Sequence, residues 1–209
     1  MPAGGASSSP SDREARQRIF IAVPLAADIR EAAGQARRVL SAYGDRLRWV
    51  SPDHLHLTLQ FLGDLTMSQV SKAVEAAEET AGAEAPFAIT FAGLGAFPSS
   101  AAPRVVWVGV TEGSQRVSVL AERLAKALRA RRLSLEDRPF APHLTLARVR
   151  GTGRSPDLRG DFKAMGAVML GEQRVAELAV VKSMLGSSAP AHTVVAAVRL
   201  GERLPGSKD

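Results

Sequence analysis

The chain has 209 residues, 45% of them hydrophobic and 23% charged. That is enough for one generous domain or two small lobes, and too ordinary a make-up for a disordered, fibrous or coiled-coil protein. It contains no cysteine, which excludes disulfides, thiolate nucleophiles and sulfur-based zinc sites and fits a reducing cytoplasm, and no run approaches the ~18–20 apolar residues of a membrane span. The net charge of +6 makes nucleic acid the first partner to consider, with a generally basic surface as the competing explanation.

The first residues, Met1-Pro2-Ala3-Gly4-Gly5 and the serines after them, are small and polar and lack the apolar run of a signal peptide. A mobile tail is expected over 1–17 and a short one over 206–209. Ile19 to Val23 is a continuous apolar run stopped by Pro24, the pattern of a buried strand. A helix is predicted from Asp28 to Tyr43, with Asp28 and Glu31 as a capping pair and Gly44 as its stop. Extended chain follows over Arg48 to Leu62, interrupted at Ser51-Pro52. A second helix is predicted from Ser68 to Ala81, opened by a Thr66/Gln69 capping box.

Phe87 to Phe91 and Arg104 to Val110 read as strands around a loop over Gly93 to Pro103. A third helix starts near Ser114, and Arg129, Arg131 and Arg132 at its end read as a solvated, dipole-compatible terminus. Pro142 to Val149 is extended, Gly151 to Gly160 is a loop, and Val175 to Met184 and Thr193 to Leu200 are the last strand candidates. The order predicts an α+β architecture whose sheets have one open face.

Residues 56–59 read His-Leu-Thr-Leu, and residues 143–146 read His-Leu-Thr-Leu again, in a chain with only 4 histidines. On a strand, alternate side chains share a face. His56 and Thr58 therefore project together over buried Leu57 and Leu59, as do His143 and Thr145 over Leu144 and Leu146. Around the first copy the alternation predicts His54, His56, Thr58 and Gln60 on one face and Leu55, Leu57, Leu59 and Phe61 on the other.

Two imidazoles and two hydroxyls facing one another suit in-line displacement at phosphorus. One ring takes a proton from water, the other gives a proton to the leaving oxygen, and the threonines hydrogen-bond the phosphate, so no metal or other cofactor is needed. A single His-x-Thr on a half-exposed strand is ordinarily just that; the repeat is what favours chemistry.

The stretch Arg48-Trp49-Val50-Ser51-Pro52-Asp53-His54-Leu55-His56-Leu57-Thr58-Leu59-Gln60-Phe61-Leu62-Gly63 resembles the first motif of the RNA 2′,3′-cyclic phosphodiesterases. These are the bacterial 2′–5′ RNA ligase-like members of the two-histidine phosphoesterase superfamily. Arg138-Pro139-Phe140-Ala141-Pro142-His143-Leu144-Thr145-Leu146-Ala147-Arg148 resembles the second motif, and Arg18 to Pro24 the family's first strand. The resemblance implies one bilobal α+β domain over 18–205, with two antiparallel sheets and outer helices flanking a central cleft. It implies hydrolysis of a terminal 2′,3′-cyclic phosphate to a 2′-phosphomonoester and an RNA partner such as a tRNA fragment. It also gives His56 the proton donation to O3′, His143 the activation of water, and Thr58, Thr145 and Arg148 the phosphate.

The near symmetry of the motifs leaves acid and base undecided from the residues alone. Arg148 lies an odd number of positions from His143, so a regular strand points it away unless the strand bends near Ala147. Phe20 and Phe140 are candidates to stack on a nucleobase, with burial in the core as the favoured competing reading. His54 lines the cleft or a solvated strand face, and His192 reads as a loop residue.

Two other classes compete with the hydrolase. One is a tRNA-end binding protein whose main role is 2′–5′ ligation. The other is a metal hydrolase, disfavoured because neither motif has an acidic cluster or His-Glu-x-x-His beside it. A cleft built within one chain needs no partner subunit, and a monomer is expected, with no membrane contact.

Overall fold

The apolar run at the start forms β1 (Gln17–Pro24), and its burial alternates by layer. Ile19, Ile21 and Val23 enter the principal core, while Phe20 and Ala22 join Ala179 and Val181 on the other face. The computed structural model describes residues 16–39, 41–136, 139–151, 155–164, 168–184 and 191–202. Of the tail expected over 1–17, residues 1–15 lie outside them, as do the C-terminal tail and Arg138 of the second motif, whereas Gln17 already belongs to β1 and pairs with Leu65.

Helix α1 (Ala27–Val39) ends earlier than the periodicity predicts. The remainder is a separate 3-10 turn, Ser41–Arg46, bent at Tyr43 (φ −98°, ψ 18°). The Tyr43 hydroxyl donates to the Asp161 carboxylate at 2.6 Å, and its ring joins the small core around Leu47, Val106 and Leu158. The tyrosine therefore belongs to another layer than the helix stripe. Asp28 lies in the first turn, where its Oδ1 accepts from the Ile29 N–H at 2.9 Å.

After β2 (Leu47–Trp49) a single 3-10 turn, Pro52–His54, leads into β3 (His56–Leu65). Helix α2 (Met67–Gly82) opens on the predicted capping box. Thr66 accepts from the Gln69 N–H, and the Gln69 side chain accepts from the Thr66 N–H at 2.9 Å. Strand β4 (Phe87–Phe97) runs well into the expected loop, because it pairs with both β5 (Val105–Val110) and β7 (Met169–Val175).

Helix α3 (Ser114–Ala130) follows, then β6 (His143–Val149), a short α4 (Arg159–Ala164), β8 (Glu177–Met184) and β9 (Ala191–Arg199). Arg131 is not a free helix-end cation: it reaches Glu75 and Glu79 and ties α3 to α2.

The strands make two antiparallel sheets, β3-β1-β8-β9 and β2-β6-β5-β4-β7, as the fold reading expected. The chain passes from the second sheet to the first within residues 50–55, which brings β3 beside β6. Leu57, Leu59, Leu144 and Leu146 are all buried in one core that draws on both sheets and on α1, α2 and α3. Each such leucine contributes roughly 1.5–3 kcal/mol by leaving water, so the apolar half of each motif holds its strand in place.

Gln173 adds a polar strut to this junction. Buried on β7, it donates to the Pro24 carbonyl and accepts from the Ala26 N–H, each at 3.0 Å. None of the described helices is long and apolar enough to cross a membrane.

Candidate active site

The leucines of both motifs point into the shared core, so the intervening residues point out of it. His56, Thr58, His143 and Thr145 are all half-buried on that outer side of the adjacent strands β3 and β6. The two imidazoles are held in the same way. His56 Nδ1 lies 2.7 Å from the His54 carbonyl, and His143 Nδ1 lies 2.7 Å from the Ala141 carbonyl, in each case two residues upstream. A carbonyl can only accept, so each Nδ1 carries the proton and each Nε2 is left to act as base or, once protonated, as acid. The 3-10 turn supplies the first of these carbonyls: the His54 N–H donates to the Ser51 carbonyl at 2.8 Å, and the turn delivers the chain to β3 with the His54 carbonyl in place.

Around His56 the surroundings are aromatic and imidazole-rich. The Phe20 ring stacks on it (4.5 Å between centroids, 23° between planes), and His192 meets it edge-on at 5.4 Å. His192 also lies 4.8 Å from His54 and 5.2 Å from Phe20. Burial, aided by the charges of His192 and His54, pushes the His56 pKa down to about 4 against the pull of the His54 carbonyl. His56 is therefore neutral at pH 7 in the unliganded protein.

Phe20 is only 4% exposed, with a face against His56, in line with the burial favoured over a platform for a base; the reading of His192, by contrast, is corrected. His192 is no loop residue but a member of β9, carried to His56 by the pairing of β9 on β8. Its neighbours, Ala191 and Thr193, gave no motif spacing to reveal this.

His143 rests on a different wall. Phe97 meets it edge-on at 5.0 Å, Trp107 lies 6.1 Å away, and these two rings are 5.1 Å apart. The indole lies across Gly95 on the neighbouring strand, where a Cβ would fall about 2.1 Å from its ring carbon Cη2. The Trp107 Nε1–H is buried and has no hydrogen-bond partner among the described residues.

Two β-bulges decide which residues join the histidines. On β6, Trp107 pairs with Thr145 and Val106 with Ala147, so Leu146 is the extra residue. Leu146 and Ala147 are consequently buried in succession, and Arg148 returns to the face of His143 and Thr145, exposed and paired across from Arg48. The strand does bend, which removes the parity objection to Arg148.

On β3, Ala22 pairs with Thr58 and Ile21 with Gln60, so Leu59 is the extra residue. The expected alternation therefore reverses after Thr58. Gln60 turns toward α3, where its Nε2 donates to the Ala121 carbonyl at 3.3 Å. Phe61 emerges beside Phe20, 6.1 Å between rings and 46% exposed.

Residues 23–107 and 108–186 each match the model of one family, the LigT-like phosphoesterases, and each match contains one His-Leu-Thr-Leu copy. The chain belongs to the LigT-like phosphoesterase family. An RNA 2′,3′-cyclic phosphodiesterase of Aquifex aeolicus is 36% identical over 156 residues, 74% of this chain and 82% of that protein. A crystal structure from Thermus thermophilus superposes with a TM-score of 0.72 at 32% identity, covering 88% of this chain and 98% of that one. Escherichia coli LigT complexed with 3′-AMP gives 0.70 at 26% identity, covering 90% and 99%.

In this LigT-like phosphoesterase one partly open hollow of about 290 Å³ lies between Gln60, α3 and Phe140, and another of about 150 Å³ lies beside α1, Trp49 and Leu146; none of His56, Thr58, His143 and Thr145 lines either. Phe140 thus packs on the core next to α3. Among the described residues no group of three or more His, Asp or Glu is arranged to hold a metal ion. On the side away from the shared core, β3 and β6 carry His56, Thr58, His143, Thr145 and Arg148, residue types suited to an anionic tetrahedral centre.

Proposed function

We propose that this phosphoesterase hydrolyses the 2′,3′-cyclic phosphate at an RNA end to a 2′-phosphomonoester without a metal ion, using His56 and His143 as its proton-transfer pair. The observation that carries the reading is the matched carbonyl lock on both Nδ1 atoms, which leaves two Nε2 atoms for one reaction. His143 Nε2 takes a proton from water as the water oxygen attacks phosphorus. The P–O3′ bond breaks, and His56 Nε2 delivers its proton to O3′. Thr58 and Thr145 hydrogen-bond the non-bridging oxygens, and Arg148, brought to that face by the bulge, offsets their charge. The basic charge of the chain favours the polyanionic substrate, and the names of its relatives point to the same reaction.

This assignment gives His56 a particular requirement. Neutral in the unliganded protein, it becomes a donor only when an anionic phosphate at contact distance raises its pKa. Between the free value near 4 and the raised bound value, anion binding takes up a proton, so affinity falls as pH rises through the bound value. Calorimetric titration of inorganic phosphate at about pH 6, in two buffers of different ionisation enthalpy, is expected to show this uptake in the wild type and not in His56→Ala. Equal apparent enthalpies in both buffers for the wild type would assign the donor role elsewhere.

The reading as a whole is tested by the rate of cyclic-phosphate hydrolysis against pH in excess chelator. A bell-shaped profile is expected, because one ring must be neutral and the other charged. A rate that only climbs with pH and needs an added divalent ion would contradict it.

A further inference from the structure

Cross-strand partners share a face, and the strand order β1-β8-β9 puts Arg18, Ser183 and His192 in one row on the Phe20 side of the first sheet. Asp64 of β3 sits across from Arg18 at the far end of that row, so Arg18 rather than Asp64 is the cross-strand neighbour of Ser183. His192 in turn lies between His54, at 4.8 Å, and the catalytic His56, at 5.4 Å. The proposed chemistry uses neither the His54 nor the His192 imidazole, yet the two half-buried rings are packed where mutual protonation is costly and an anion would relieve it. Burial and the charge of His54 lower the His192 pKa.

We infer that His192, with His54 and Arg18, forms a second anion subsite that receives the phosphodiester one sugar upstream of the cyclic phosphate. The inference rests on the functional reading above and adds to it a basis for substrate choice. Consecutive phosphates on an RNA strand are separated by one ribose, and the His54–His192 pair is next to the ring assigned to the terminal phosphate. A polynucleotide end meets both subsites, whereas a free nucleoside 2′,3′-cyclic phosphate meets one. Recognition through phosphate rather than base carries no sequence information, so the preference is for strand ends as such.

The test compares kcat/KM for a trinucleotide ending in a 2′,3′-cyclic phosphate with that for adenosine 2′,3′-cyclic phosphate. The wild type is expected to favour the trinucleotide. His192→Gln and Arg18→Gln are each expected to reduce that preference, His192→Gln by about tenfold, the effect of one lost charge-assisted hydrogen bond. Loss of equal size on both substrates in His192→Gln would mean that the residue acts only through His56, and would overturn the subsite.

If the wild type turns over neither substrate, the functional reading fails and the subsite is judged by binding. Adenosine 2′,5′-bisphosphate is then expected to bind the wild type more tightly than adenosine 2′-phosphate, with the difference lost in His192→Gln. Equal binding of the two by the wild type overturns it.

Discussion

Alanine at His56, or at His143, is expected to lower turnover of a cyclic-phosphate RNA end by roughly 10²–10⁴-fold, the usual contribution of a placed general acid or base. Each ring sits on a strand whose alternate leucines are fixed in the core, and each projects from the outer side of that strand. Truncation therefore removes the Nε2 without touching the layer that holds the strand. Both variants are expected to keep the fold and most of the affinity for RNA, which rests on the basic surface and the other phosphate contacts. The double variant is expected to be little worse than either single one, since a proton-transfer pair works as a unit. Single-turnover kinetics with a labelled cyclic-phosphate end, alongside thermal unfolding, measures both parts. Near-wild-type turnover in either variant would remove that ring from the mechanism.

Gly95→Ala is expected to lower kcat by about 10²-fold at a site with no group of its own in the reaction, the scale of a misplacement of about 1 Å. The physical cause is the indole that lies across Gly95. The new Cβ would fall about 2.1 Å from the Trp107 ring, so that ring must move. Trp107 packs against Phe97, and Phe97 meets His143 edge-on, so the displacement is passed to the His143 imidazole. Overpacking of this kind also costs about 1–3 kcal/mol of stability. The informative readout is kcat against KM, because loss of His143 alignment lowers kcat while phosphate contacts at Thr58 and Arg148 persist. Unchanged kcat in a folded Gly95→Ala protein would show that the wall behind His143 does not position it.

The repeated His-Leu-Thr-Leu made much of the candidate site legible, because strand alternation ties two polar residues to one face and two leucines to the other. What alternation cannot reveal is a bulge. Nothing in Thr58-Leu59-Gln60 or in Leu146-Ala147 marks the extra residue, since each of the two leucines is apolar and at home in the core. Those two insertions turn Gln60 in, turn Phe61 out and bring Arg148 round to the histidines. Strand β7 was hidden for a related reason: it carries few apolar residues, and its inward Gln173 is buried through hydrogen bonds to Pro24 and Ala26 rather than through hydrophobicity. His192 was invisible because its importance comes from where β9 docks, a long-range pairing with no local signature. Tyr43 followed the helical period but answers to Asp161, more than a hundred residues away.

The central claim is the reaction itself. The measurement that meets it most directly is incubation of an oligoribonucleotide ending in a 2′,3′-cyclic phosphate with the protein in excess chelator, followed by determination of the phosphate's position in the product. The account predicts a 2′-phosphate end and no loss of rate to the chelator. A 3′-phosphate end, or a reaction abolished until a divalent ion is restored, would contradict it.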